Sequence, residues 1–113
     1  MAEHSVTICE VVASNRFEAV TETGEVAGFA QFSLETDGSY RVFHAEVDHA
    51  HEGRGVGSDL AQGLLDSIRD QGRQVIPDCP FIAEYIRRHR EYADLVRTHQ
   101  DEAGEGGEAV EQG

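Results

Sequence analysis

The 113-residue chain has no lysine and no tryptophan, only two cysteines and two prolines, and no long apolar run. Each shortage closes something off. A membrane-spanning helix needs roughly 18 to 20 apolar residues in succession, and no stretch approaches that length. The opening "MAEHSVTICE" has neither the basic nor the apolar region of a secretory leader, so a cytoplasmic protein is expected. Cys9 and Cys79 lie far apart without CxxC spacing, which argues against a disulfide framework and against a thiolate zinc site. Without lysine there is no Walker A loop, and a nucleoside triphosphatase of that kind is excluded. Any lysine chemistry would have to happen on another molecule.

Basic charge is scarce as well. Nine arginines face 22 acidic residues, a formal net charge of −13. Such a surface repels nucleic-acid backbones and anionic membranes, so neither is expected as a partner, whereas a cationic molecule would be drawn in. The acid-rich composition fits adaptation to high salt and equally fits a codon bias towards arginine. Residues 98–113, "THQDEAGEGGEAVEQG", hold four glycines, five acids and one sizeable aliphatic side chain. That is too little apolar area to offset the entropy of ordering. One domain over residues 1–97, followed by a disordered acidic tail, is the expectation.

Within the domain the hydrophobic period changes along the chain. "SVTICEVV" reads as extended, and "RFEAVTETGEVAGFAQFSL" as strands Phe17 to Val20 and Val26 to Leu34 joined by a turn. Asp37-Gly38 signals a two-residue hairpin turn leading into "YRVFHAEV". There, alternation predicts Phe43, Ala45 and Val47 on one face, with Tyr40, Val42, His44 and Glu46 on the other. Val56, Leu60, Leu64 and Ile68 then recur at helical spacing as far as Arg69, with Gly72 as a left-handed stop. "RQVIP" is a further strand, parallel to the one ending at Val47 because a crossover joins them. After Pro77 and Pro80, "FIAEYIRRHREYADLV" predicts a last helix with Phe81, Ile82 and Ile86 inward. The order is that of an α/β or α+β sheet of about five strands with a βαβ unit in its C-terminal half.

Between that strand and that helix lies "EGRGVGSD", whose Gly53, Gly55 and Gly57 let the backbone curl and aim N–H groups at an anion. A helix N-terminus adds unpaired donors, so the loop has the makings of a phosphate cradle; a ligand-free tight turn is the plainer alternative. The dinucleotide fingerprint GxGxxG fails by one position, with Ser58 in place of the third glycine. His44, Glu46, His49 and His51 raise the question of a metal site, against which stands a simple polar strand end.

The stretches "RFEA", "GEVAGFA", "HAEVDHAHEGRGVGSDLA", "VIPDCPFIAEYIRRH" and "EYADL", in this order and spacing, resemble the GNAT superfamily of N-acetyltransferases, in particular its minimal YidJ-type members. The resemblance spans about Arg16 to Leu95 and implies a mixed, mostly antiparallel sheet ending in a βαβα unit whose parallel strands splay apart. It implies acetyl-CoA as cofactor and an amine acceptor attacking the thioester directly. A GNAT-fold module that binds acyl-CoA without catalysis is the alternative. The family's pyrophosphate loop, Q/R-x-x-G-x-G/A, maps onto Glu52, Gly53, Arg54, Gly55, Val56 and Gly57, with Ser58 following. Glu52 departs from the pattern, which leaves backbone donors and Arg54 to hold phosphate. Val47 and the Val75 to Pro77 strand would border the pantetheine gap.

Three side chains are candidates for the chemistry. Glu46 fits a base acting directly or through water, or a carboxylate paired with arginine. Tyr85 stands where many members of the family carry a tyrosine that protonates the leaving thiolate, a spacing that also suits helix packing. Cys79, in "PDCPF", fits a pocket lining or a nucleophile at a helix N-terminus. Arg88 is placed to meet a coenzyme phosphate or to lie in solvent. His44 matches a family position with a structural or acceptor-side role.

Overall fold

The computed structural model describes residues 6–97; the tail expected over 98–113 lies outside them. Period-two patterning yields β1 (Val6–Val11), β2 (Arg16–Thr21), β3 (Val26–Leu34) and β4 (Tyr40–Val47). The 3.6-residue stripe yields α1 (Val56–Asp70), followed by β5 (Val75–Pro77) and α2 (Pro80–Arg88). The strands form one sheet in the order β1-β2-β3-β4-β5. Every neighbouring pair is antiparallel except β4 and β5. This is the expected mixed α/β architecture.

Both helices contribute to a single core on one side of the sheet. Val56, Leu60, Ala61, Leu64, Leu65 and Ile68 of α1 are buried with Phe17, Ala19, Ala30, Phe32, Tyr40 and Val42, and with Ile82 and Ile86 of α2. Each large side chain removed from water in this way contributes about 1.5 to 3 kcal/mol. Gly72 ends α1 at φ 72°, and the Arg73 N–H returns to the Ile68 carbonyl at 3.1 Å, the expected left-handed stop. No helix among the described residues is long and apolar enough to cross a membrane.

Four local expectations need correction. The turn at Asp37-Gly38 has three loop residues: the Glu35 N–H bonds to the Ser39 carbonyl, and Gly38 takes φ 91° as the third. Strict alternation in β4 fails because Gln31 pairs with His44 but Phe32 pairs with Val42, leaving Phe43 as an extra residue in a β-bulge. The bulge switches the inward parity. Tyr40 and Val42 are buried before it, Ala45 and Val47 pack on the core after it, and Phe43, His44 and Glu46 are exposed. The last helix stops at Arg88: the backbone leaves helical angles at His89, whose ring Nδ1 lies 2.9 Å from the Tyr85 carbonyl. A 3-10 turn, Arg90–Leu95, then returns Tyr92 and Leu95 to the core and lets the Arg97 N–H bond to the Val75 carbonyl. Phe81, expected inward, is 43% exposed.

Candidate active site: a strand gap and a glycine loop

The parallel strands β4 and β5 pair only over Tyr40–Val75, Arg41–Ile76 and Val42–Pro77. Proline at 77 brings no N–H to the ladder, and the Asp78 N–H folds back to the Ile76 carbonyl at 3.0 Å. One last bond, from the Cys79 N–H to the Val42 carbonyl at 2.9 Å, closes the apex. Beyond it the chain turns into α2, and Phe43 to Val47 have no strand partner on that edge among the described residues. The result is a gap with β4 as one wall. The α2 N-terminus, with Cys79 as its buried N-cap, is the other.

The glycine loop stands at the open end of this gap. A short 3-10 turn, His49–His51, precedes it, with the Ala50 N–H bonded to the Asp48 carboxylate. Glu52, Gly53, Arg54 and Gly55 are exposed, and both glycines adopt φ 81°. A Cβ on either would meet nothing within 4 Å, so the space beside the loop at both positions is open. Gly55 is the N-cap of α1 and offers no side-chain acceptor, which leaves the N–H groups of Val56, Gly57 and Ser58 without intrahelical partners. Gly57 answers to a different constraint. Its Cβ would lie 3.0 Å from Phe81 Cζ, so the first turns of the two helices approach each other here. Gly28 does similar work from β3, since a Cβ there would stand 2.9 Å from the Glu46 carbonyl and 3.5 Å from Val56 Cγ1.

The family model of GCN5-related N-acetyltransferases matches residues 16–95, a span that holds β2 to β5, both helices, the gap and the loop. The chain belongs to this family. As a GCN5-related N-acetyltransferase it is an enzyme of acyl transfer. Its fold is also that of a GCN5-like protein from Staphylococcus aureus solved by NMR, at 18% identity and TM-score 0.61, over 84% of this chain and 93% of that one. Looser likenesses reach a ribosomal-protein-alanine N-acetyltransferase from Brucella melitensis biovar Abortus 2308, at 19% identity and TM-score 0.43, over 86% of this chain and 69% of that one. Nourseothricin acetyltransferase follows at 18% identity and TM-score 0.44, over 80% and 68%. No curated protein matches the sequence significantly.

The side chains singled out by sequence fall into distinct surroundings in this acetyltransferase. Glu52 leans towards His49, 3.5 Å away, and Arg54 has no ion pair among the described residues. Arg88 is held by Glu84 at 2.8 Å on the exposed side of α2, and Arg87 pairs with the same carboxylate. Tyr85 stacks on His89 with ring centroids 3.9 Å apart, and its hydroxyl has no hydrogen-bond partner among the described residues. Burial, helped by the negative charges of Glu91, Asp66 and Asp59, pushes the Tyr85 phenol above its ordinary value, so it stays protonated. The three histidines His44, His49 and His51 diverge. His44 goes to Glu46 at 2.8 Å, His49 to Glu52, and His51 to Glu25 at 3.7 Å. Among the described residues no three His, Cys, Asp or Glu side chains assemble as a metal site.

Three residues named in the sequence take roles there that the sequence did not assign. Phe43 makes the bulge, Phe81 borders the loop, and His44 is the direct partner of Glu46. The glycine at 57 carried a signal for the second, since a small residue facing a neighbouring helix marks close approach. The apolar side chains of β4 change parity between Val42 and Phe43, but only the register with β3 shows that change to be a bulge.

Proposed function

We propose that this protein is an acetyl-CoA-dependent N-acetyltransferase acting on a cationic amine by direct transfer. The observation that carries the reading is the junction of an open, uncapped glycine cradle with an unpaired strand edge. The cradle fits a pyrophosphate. Gly53 and Gly55 leave the space beside the loop free, the first-turn N–H groups of Val56, Gly57 and Ser58 supply donors, and Arg54 is free to add charge while Glu52 is drawn aside by His49. The gap fits a pantetheine arm, because the Phe43 to Val47 edge offers backbone donors and acceptors to an amide chain, as any open strand edge does. Val47, Pro77 and Cys79 line its sides, and Arg88, released from Glu84, is within the same helix for a distal phosphate.

Bound acetyl-CoA supplies the electrophilic thioester carbon. Donors on the β4 edge orient the carbonyl and stabilise charge on its oxygen. Glu46, on the open face of the sheet beside the gap, serves removal of the proton from the attacking nitrogen. Tyr85, kept protonated by its surroundings, donates to the departing sulfur. Cys79 lines the apex. The net negative surface favours approach of a cationic amine. Both cysteines are free, as suits the reducing cytoplasm, which is the proposed location.

Titration calorimetry with acetyl-CoA in low and high salt tests the reading, followed by thiol release in the presence of primary amines such as spermidine. Saturable binding with amine-dependent release is the expected result. Binding without release would favour an acyl-CoA-binding module, and no binding in either buffer would overturn the cradle.

A further inference from the structure

On the open face of the sheet, beside the gap, His44 and Glu46 form a bonded pair: Nε2 of the ring lies 2.8 Å from the Glu46 carboxylate. Their side chains are 46% and 59% exposed, a setting in which an ion pair contributes little to stability. Folding therefore does not explain the geometry. The pair begins at the residue after the bulge, the device by which a strand re-aims side chains beside a site. It also sits on the part of β4 that β5 has left, so the backbone carrying both side chains runs along the gap. On its sheet side the ring meets Phe29, with centroids 6.1 Å apart. Arg16 lies over that phenyl ring at 4.5 Å and is tied to Glu18 at 2.8 Å. Gln31 is the cross-strand neighbour of His44.

We infer that His44 is the group that takes the proton from the acceptor amine, and that Glu46 is its positioning residue. This rests on the acetyltransferase reading above and changes the role of Glu46 within it. A carboxylate accepts, so its bond to Nε2 places the ring proton there and leaves the lone pair on Nδ1. Imidazole is the side chain best matched to proton transfer near neutrality. As the neutral amine nitrogen bonds to the acyl carbon and the carbon–sulfur bond breaks, Nδ1 receives the proton that nitrogen loses. The imidazolium is stabilised by Glu46 and returns its proton to water. The sulfur takes the Tyr85 phenolic proton, which water replaces, so amine and thioester leave as amide and thiol.

Two measurements test the assignment. Nitrogen-15 NMR of the imidazole rings, on the full chain at a pH above the histidine range, should show His44 protonated at Nε2 and bare at Nδ1. Glu46→Ala should relax that preference to a mixture. In thiol-release assays with acetyl-CoA and spermidine, His44→Ala should lose about a hundredfold or more in turnover with unchanged acetyl-CoA affinity. Glu46→Ala should lose less. A proton on Nδ1 in the wild type, or His44→Ala turnover within about twofold of wild type, overturns the proposal. In the second case the acetyltransferase reading stands and Glu46 is the base. A wild type that binds acetyl-CoA yet releases no thiol with the amines overturns both.

Discussion

Gly53, Gly55 and Gly57 look alike in the sequence and differ in what they do. The first two hold left-handed angles with open space beyond them, whereas the third is helical and makes room for Phe81. Gly55→Val should therefore act through backbone strain of about 1 to 2 kcal/mol at the N-cap. The loop would shift and its donors lose their aim. We expect acetyl-CoA affinity to fall by about tenfold or more, with the fold retained. Calorimetry showing unchanged affinity would contradict the cradle. Glycine spacing made this loop legible because its geometry is set within six residues. The pairing of His44 with Glu46 was legible only as a shared strand face.

At the scale of elements, α1 carries a glycine that propensity alone would call a defect. Gly63 sits mid-helix, where glycine costs about 1 kcal/mol relative to alanine. Yet a Cβ there would come 2.3 Å from Ile8 Cγ1 and 2.6 Å from its Cβ, so the residue lets α1 lie close on β1. Gly63→Ala should destabilise the protein by about 1 to 3 kcal/mol in urea unfolding despite the better propensity. Ile8→Ala in that background should restore part of the loss, and a more stable single variant would show that the close approach is absent. The elements themselves were readable from period, and β3, α1 and β5 fall where patterning put them. The bulge at Phe43 and the break at His89 were not, because each answers to a distant partner: the β3 register in one case, the docking of Tyr92 and Leu95 in the other.

For the molecule as a whole, three tyrosines tie elements distant in the chain to one another. Tyr40 donates to Glu10 at 2.7 Å, Tyr92 donates to Asp66 at 2.7 Å, and Tyr85 lies between α2 and the 3-10 turn. Burial raises the folded-state value of all three. A group whose folded value is raised stabilises fully below its unfolded value, about 10 for tyrosine, and loses that contribution as pH climbs through the folded value. Unfolding free energy should thus hold to about pH 10 and fall above it. Tyr92→Phe should make the alkaline decline shallower, and an unchanged slope would remove Tyr92 from the account.

The sequence by itself determined the strand and helix order, the hairpins, the helix stop at Gly72 and the glycine loop, because each depends on neighbours within a few residues. Family resemblance across Arg16 to Leu95 added the class of chemistry. Tertiary structure alone decided where β5 leaves β4, which way β4 faces after Phe43, and which side chains meet across elements, as Gly57 meets Phe81. Those outcomes depend on register and helix docking, which arise only when segments distant in the chain compete for the same core.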